Sequence, residues 1–245
     1  MELKKLLYCG LVPALLSGCS YQLSFGSLQP VDSQHQSANV NVLDNGTVIF
    51  TEGRLEVGVR VFTDRELNRQ FEQYSRGGNK SSNPYTLGDF KPPDREETPG
   101  LFTVLLLSVK NYEFPKVIVD PLNIGVRSAS GRMYEPFSLA LLEQYYYPLA
   151  QGYAGNAFHN LFQQRVDILR QTLYKKEPVF SGQEESGFVV FPRLHEEVQQ
   201  ITIFVNNIVV RFDYAGRPTR TLNAVYRFER EVEKVKEWSL IGGNS

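Results

Sequence analysis

Strict alternation of apolar and polar residues in several short segments limits the fold of this chain more than any other feature. Over residues 55–62 the sequence is LEVGVRVF, in which every odd-numbered position is Leu or Val and the even-numbered positions include Glu56 and Arg60. Successive side chains of a β-strand point to opposite faces, so one face of this segment is apolar and the other is largely polar. The alternation therefore predicts a strand half-buried in an antiparallel sheet.

Similar short segments recur along the chain and are separated by turn-forming residues such as Asn45-Gly46 and Ala215-Gly216. Residues 101–112 differ because their apolar residues are nearly continuous, which predicts a strand buried on both faces at the centre of a sandwich. The other predicted strands cover residues 47–50, 117–119, 122–126, 133–134, 187–191, 200–205, 208–212 and 224–228. This number of strands predicts a mainly β fold, an immunoglobulin-like antiparallel β-sandwich.

The periodicity changes to that of helices between residues 138 and 175, with helical segments at 138–147 and 156–175 separated by Pro148 and Gly152. In the second segment, apolar residues recur every three or four positions and form one stripe. They are Phe158, Phe162, Val166, Leu169 and Leu173. The pattern predicts a helical hairpin inserted into the β domain. The hairpin either caps an open end of the sandwich or presents Tyr145, Tyr146, Tyr147 and Tyr153 to a partner.

Composition suggests the boundaries of the remaining segments. Residues 46–230 are predicted to form the sandwich domain, with a charged tail at 231–245. Residues 19–45 are rich in Ser, Gln and Asn and predict a flexible tether, although residues 38–43 also fit an edge strand. Thr63 and Glu66 form a capping box for a short helix that runs to about Tyr74. The long loop at 75–99 is predicted to be mobile.

The N-terminus has the features of a secretory signal: Lys4 and Lys5, an apolar run over residues 6–16 and a small-residue end. The run is shorter than the roughly 20 apolar residues that a transmembrane helix needs. Its end, Leu16-Ser17-Gly18-Cys19, resembles the lipobox of bacterial lipoproteins. That resemblance implies cleavage between Gly18 and Cys19 and attachment of lipid to Cys19. Because residue 20 is Ser, it also implies export to the outer membrane of a Gram-negative cell.

Cysteine content and charge exclude several function classes. The only cysteines are Cys9, inside the predicted signal, and Cys19, so the mature chain has no cysteine zinc site, disulfide or thiol nucleophile. The formal net charge of −1 offers no basic footprint for nucleic acid. Phe180-Ser181-Gly182 with residues 187–191 is similar to immunoglobulin-like domains of the bacterial envelope. This likeness covers only the last third of the chain.

No catalytic or metal-binding motif is present in the sequence. His35, His159 and His195 are not at metal-ligand spacing, and there is no nucleotide-binding loop or nucleophile elbow. A catalytic pair of carboxylates that are distant in the sequence and meet only in the fold remains an open alternative. Asp120, Glu143 and Asp167 are the candidates for such a pair. We therefore predict a non-enzymatic, lipid-anchored envelope protein without a metal or other cofactor. Its predicted partners are membrane lipid, through acylated Cys19, and another envelope protein or a glycan. The alternative is a membrane-tethered hydrolase.

Overall fold

The computed structural model describes residues 21–91, 100–152 and 156–236. Its first eight strands are β1 (Tyr21–Phe25), β2 (Gln29–Pro30), β3 (Val40–Val42), β4 (Val48–Glu52), β5 (Leu55–Phe62), β6 (Phe102–Asn111), β7 (Lys116–Val117) and β8 (Ile124–Ser128). The remaining strands are β9 (Met133–Tyr134), β10 (Val179–Phe180), β11 (Gln183–Pro192), β12 (Gln200–Phe212), β13 (Pro218–Glu229) and β14 (Val232–Lys236). The α-helices are α1 (Asp64–Gln70), α2 (Leu139–Gly152) and α3 (Asn156–Thr172). Short 3₁₀ helices cover Ser33–His35, Glu72–Tyr74, Gly78–Lys80 and Pro121–Asn123.

Two five-stranded antiparallel sheets form the sandwich, which spans Phe25–Val232. The strand order is β11-β6-β5-β4-β3 in one, which we name the central sheet, and β2-β13-β12-β8-β9 in the other, the outer sheet. Strand β10 pairs with β7 in a small sheet. Strands β1 and β14 pair with each other in a unit of their own. The predicted antiparallel β-sandwich is thus confirmed.

The main core lies between the two sheets and follows the alternation seen in the sequence. On β5, Leu55, Val57 and Val59 are almost fully buried in this core, as the sequence predicts. Burying such a side chain contributes about 1.5–3 kcal/mol. From the outer sheet, Tyr226 is completely buried and its hydroxyl donates a hydrogen bond to the carbonyl oxygen of Val57, 2.7 Å away. This bond satisfies a polar group that would otherwise destabilise the core.

A second core lies on the opposite face of the central sheet. Strand β6 turns Leu105 and Leu107 toward the outer sheet, whereas Phe102 and Val104 pack against helices. The prediction that this strand is buried on both faces is therefore confirmed. The covering elements are α1, α2, α3 and the segment 75–91, which together we name the helical layer. Over β6, the fold therefore has three layers, which are the outer sheet, the central sheet and the helical layer.

The helical hairpin lies on a face of the central sheet, so the predicted cap over an open end is wrong. The physical reason is that β6 and β11 carry apolar side chains on both faces of the central sheet. The face away from the outer sheet would be exposed to water if the helices did not pack on it. The apolar stripe of α3 is confirmed for Val166 and Leu169, which are buried, although the side chain of Phe158 lies outside those described. Pro148 lies inside α2 and does not end it as predicted. It removes one helical hydrogen bond, a cost the packing of α2 outweighs.

The predicted tether at 19–45 is largely part of the sandwich. Pro30 in β2 pairs with Phe228, and Val40 in β3 pairs with Phe50. Between them, the buried Gln36 side chain accepts a hydrogen bond from the backbone N–H of Arg227 at 2.9 Å. The edge-strand alternative for residues 38–43 is the correct one. The predicted charged tail also begins with a strand, β14, while residues 237–245 lie outside the described ranges.

Two further predictions about strands need correction. Residues 200–212 form one strand, β12, because a bulge at Asn207, which has φ of 56°, absorbs the break in alternation. The strand predicted at 187–191 extends over all of β11, and the short strand β10 precedes it. In contrast, the capping box at Thr63 and Glu66 is present at the start of α1.

The loop predicted to be mobile is packed over residues 75–91, while residues 92–99 lie outside the described part of the chain. Asn83 is completely buried, and its amide nitrogen donates to Ser75 Oγ at 2.9 Å. Its amide oxygen accepts a hydrogen bond from the backbone N–H of Tyr85, also at 2.9 Å. These bonds let a polar segment take part in the helical layer.

Candidate functional site

The end of the helical insertion is fixed to the edge of the central sheet. After α3 ends at Thr172, Leu173 forms a parallel bridge with Phe188, and the N–H of Tyr174 donates to the Phe188 carbonyl at 2.9 Å. Gly187 makes this approach possible. A Cβ atom at that position would lie 2.5 Å from the Tyr174 Cα atom, closer than real Cβ contacts.

A groove of about 560 Å³ opens beside this junction, between α3, the start of α2 and the 3₁₀ helix at Pro121–Asn123. We name it the insertion groove. Its apolar walls are formed by Leu122, Phe137, Leu139, Leu169, Leu173 and Phe188. Leu122 is 54% exposed although its side chain is apolar. The volume lies in the range of small-ligand sites, which are mostly apolar and carry few polar groups.

Charged side chains also line the insertion groove. Lys176 Nζ lies 2.7 Å from Asp120 Oδ2. Arg170 binds Glu143 Oε1 at 2.8 Å. Lys175 is exposed, and no ion pair joins it to a carboxylate within the described ranges. Lys175 is therefore the cation among the described groove residues that has no carboxylate partner.

The three candidate catalytic carboxylates are each held by a cation. Glu143 and Asp167 both contact Arg170, the latter at 3.9 Å, and Asp120 pairs with Lys176. The structure brings all three to the neighbourhood of α3 and the groove, but in ion pairs.

The candidate contact tyrosines do not share one exposed surface. Tyr145 and Tyr147 are about half exposed, but Tyr146 is buried and its hydroxyl donates to the Pro84 carbonyl at 2.6 Å. The Arg165 guanidinium lies over the Tyr146 ring, 4.8 Å from its centroid. Burial raises the pKa of Tyr146. The prediction of Tyr146 as a contact residue is therefore wrong, because consecutive helical residues point in different directions.

Several predicted site residues lie outside the described part of the chain. These are Gly18, Cys19 and Tyr153. Tyr145 and Tyr147 remain predictions as contact residues. Tyr145 packs edge-on against Phe102, with ring centroids 5.1 Å apart, so part of its surface already belongs to the helical layer.

The three histidines, His35, His159 and His195, are all exposed and belong to different segments of the fold. Across residues 21–91, 100–152 and 156–236, no group of three or more His, Cys, Asp or Glu side chains is placed to hold a metal ion. Within the same residues, no helix combines the length and apolar character needed to cross a membrane.

Sequence reasoning missed the insertion groove. Leu169 and Leu173 belong to the predicted stripe of α3, but Leu122, Phe137 and Phe188 come from three other segments. Their meeting depends on where the helical hairpin docks. The only local signal was Lys175-Lys176 directly after a helix, a pattern that also serves to balance the helix dipole.

Comparison with known proteins gives no family for this chain. No protein-family model and no curated protein matches it. Among solved structures, it is similar to MPT63, a secreted protein from Mycobacterium tuberculosis, at 11% sequence identity. The alignment covers 68% of this chain and 90% of that one, with a TM-score of 0.31. A likeness this loose carries no argument about function.

Proposed function

We propose that this chain is a lipid-anchored protein of the bacterial cell envelope, carried on the outer membrane, that acts by binding. The anchor rests on the N-terminal sequence, where a basic start and an apolar run lead to Leu16-Ser17-Gly18-Cys19. Acyl chains on Cys19 hold the protein at a membrane, since each buried methylene contributes about 0.8 kcal/mol and more than one chain gives stable attachment.

The observation that supports binding is the insertion groove. It leaves Leu122 exposed and combines apolar walls with a few charged groups, the composition usual for a ligand site. Anchoring would raise the local concentration of the domain near ligands or proteins of the same membrane, so modest affinity is sufficient. Another envelope protein or a glycan stays a candidate partner for the exposed Tyr145 and Tyr147.

A hydrolase is less well supported than a binding protein. Asp120, Glu143 and Asp167 are all engaged in ion pairs with Arg170 or Lys176, so none of the three candidates stands without a cationic partner. A binding role requires only the open groove, which the fold already provides.

Site-specific photo-crosslinking in cells tests the binding role. A photoreactive residue replaces Leu122 on the rim of the insertion groove, and, as the matched control, Met133 on the outer sheet, which is equally exposed at 55%. The full chain is expressed in a Gram-negative host and irradiated. We expect an adduct of discrete mass with the variant at position 122 and none at position 133. Absence of any adduct at position 122, or equal adducts at both, would contradict a ligand in the groove.

A further inference from the structure

We propose that the insertion groove binds the acyl chain of a fatty acid, with the carboxylate of the fatty acid at Lys175. This inference rests on the proposed binding function and names the class of ligand. It depends on the shape of the groove and on the position of the one groove cation that is not paired.

The apolar lining of the groove offers a surface on which a hydrocarbon chain can pack. The apolar lining residues that keep exposed surface are Leu122 on the rim, Leu173 at the junction of helix and sheet, and Phe137 and Leu139 at the start of α2, whereas Leu169 and Phe188 are buried. No hydroxyl or amide is required to recognise a methylene chain, and burial of apolar surface contributes about 25 cal/mol per Å². A sugar, in contrast, needs many convergent hydrogen-bonding groups.

The charges of the groove favour an anionic head. Arg170 is paired with Glu143, and Lys176 with Asp120, so these two cations are already balanced. Lys175 lines the groove, is exposed, and has no ion pair with a carboxylate of the described residues. The C-terminus of α3 carries only about half a negative charge, which does not cancel a full positive charge on Lys175.

Isothermal titration calorimetry with two probes of equal chain length tests this proposal. The full chain with Cys19→Ala is used, so that no acyl group of the anchor competes. The probes are dodecanoate and dodecyltrimethylammonium, both below their micelle concentrations. We expect dodecanoate to bind with one site and dodecyltrimethylammonium to bind about fivefold more weakly, because only the carboxylate pairs with Lys175.

Charge reversal at one lysine then tests the position of the head. Lys175→Glu should weaken the binding of dodecanoate by about fivefold and strengthen that of dodecyltrimethylammonium. The control Lys80→Glu, at an exposed lysine outside the groove, should change neither affinity. A second variant, Leu122→Asp, places a carboxylate on the exposed rim of the groove. It should also lower the affinity for dodecanoate, because the two carboxylates repel each other. Circular dichroism verifies that each variant is folded.

The outcomes separate this inference from the proposed function. The fatty-acid assignment is wrong if dodecanoate does not bind. It is also wrong if dodecanoate and dodecyltrimethylammonium bind with equal affinity and Lys175→Glu changes neither affinity. Should the photoreactive residue at position 122 still form a protein adduct in that case, the groove binds a protein segment and only the proposed function survives. If the adduct is also absent, both proposals fail.

Discussion

Gly187 is the residue on which the position of the helical insertion depends most directly. Any Cβ atom there would meet the backbone nitrogen and Cα of Tyr174 at 2.5 Å. Backbone atoms cannot rotate away as a side chain can, so the contact must be relieved by separating α3 from the central sheet. The same separation would widen or distort the insertion groove, because Leu173 and Phe188 line it.

Gly187→Ala is therefore expected to lower the free energy of unfolding by about 1–3 kcal/mol, measured by urea denaturation. Gly125→Ala is the matched control, because it also lies in a strand. A Cβ atom there would contact only Met133 Cε at 3.5 Å, an ordinary van der Waals distance. The control should stay within about 0.5 kcal/mol of the wild type. Equal effects of the two substitutions would show that the close approach at Gly187 is unimportant.

At the scale of single elements, local signals were sufficient for some strands and for the start of α1. The alternation over Leu55–Phe62 reproduces β5 residue for residue, and Thr63 with Glu66 marks the start of α1. These features depend on neighbours within a few positions. The docking of α2 and α3 depends instead on which face of β6 and β11 needs cover, and no local pattern encodes that choice.

Other errors have the same long-range cause. Polar composition at residues 19–45 predicted a tether, yet Pro30 pairs with Phe228 and Gln36 bonds with Arg227, almost two hundred positions away. The length of the loop at 75–99 predicted mobility, yet Asn83 is buried among its own hydrogen-bond partners. In both segments polar residues are accommodated because the fold supplies partners that the sequence does not place nearby.

The first turn of α1 contains a carboxylate that makes stability depend on pH. Burial raises the pKa of Asp64 from its ordinary value of 3.8 to about 6, and the positive charge of Arg193 opposes the rise. The folded state thus holds this proton more tightly than the unfolded state does. Between about pH 4 and pH 6, unfolding releases the proton, so the free energy of unfolding falls as the pH rises through that window.

Asp64→Asn should remove this contribution. Relative to the wild type, the variant is expected to become progressively more stable as the pH rises from 4 to 6, with no further change above about pH 7. Urea denaturation at pH 4, 5, 6 and 7 measures the difference. The control Asp44→Asn, at an exposed carboxylate, should keep the pH dependence of the wild type. A constant difference between Asp64→Asn and the wild type would contradict the buried-carboxylate explanation.

At the scale of the whole molecule, the helical layer changes a two-layer sandwich into three layers over β6 and β11. The insertion groove is a consequence, because it opens where the end of α3 meets the edge of the central sheet. The sequence predicted the sandwich itself, since strand number and alternation suffice for that. It did not predict the groove, which requires residues from four segments to meet.

The proposed role at the membrane depends on Cys19, and intact-protein mass spectrometry tests it most directly. The full chain is expressed in a Gram-negative host, extracted from membranes with detergent and compared with Cys19→Ala as control. We expect a chain that begins at Cys19 and is heavier than the polypeptide by its acyl groups, with the control lacking that added mass. A chain that retains residues 1–18, or one that begins at Cys19 with a free thiol, would contradict the proposed lipid anchor.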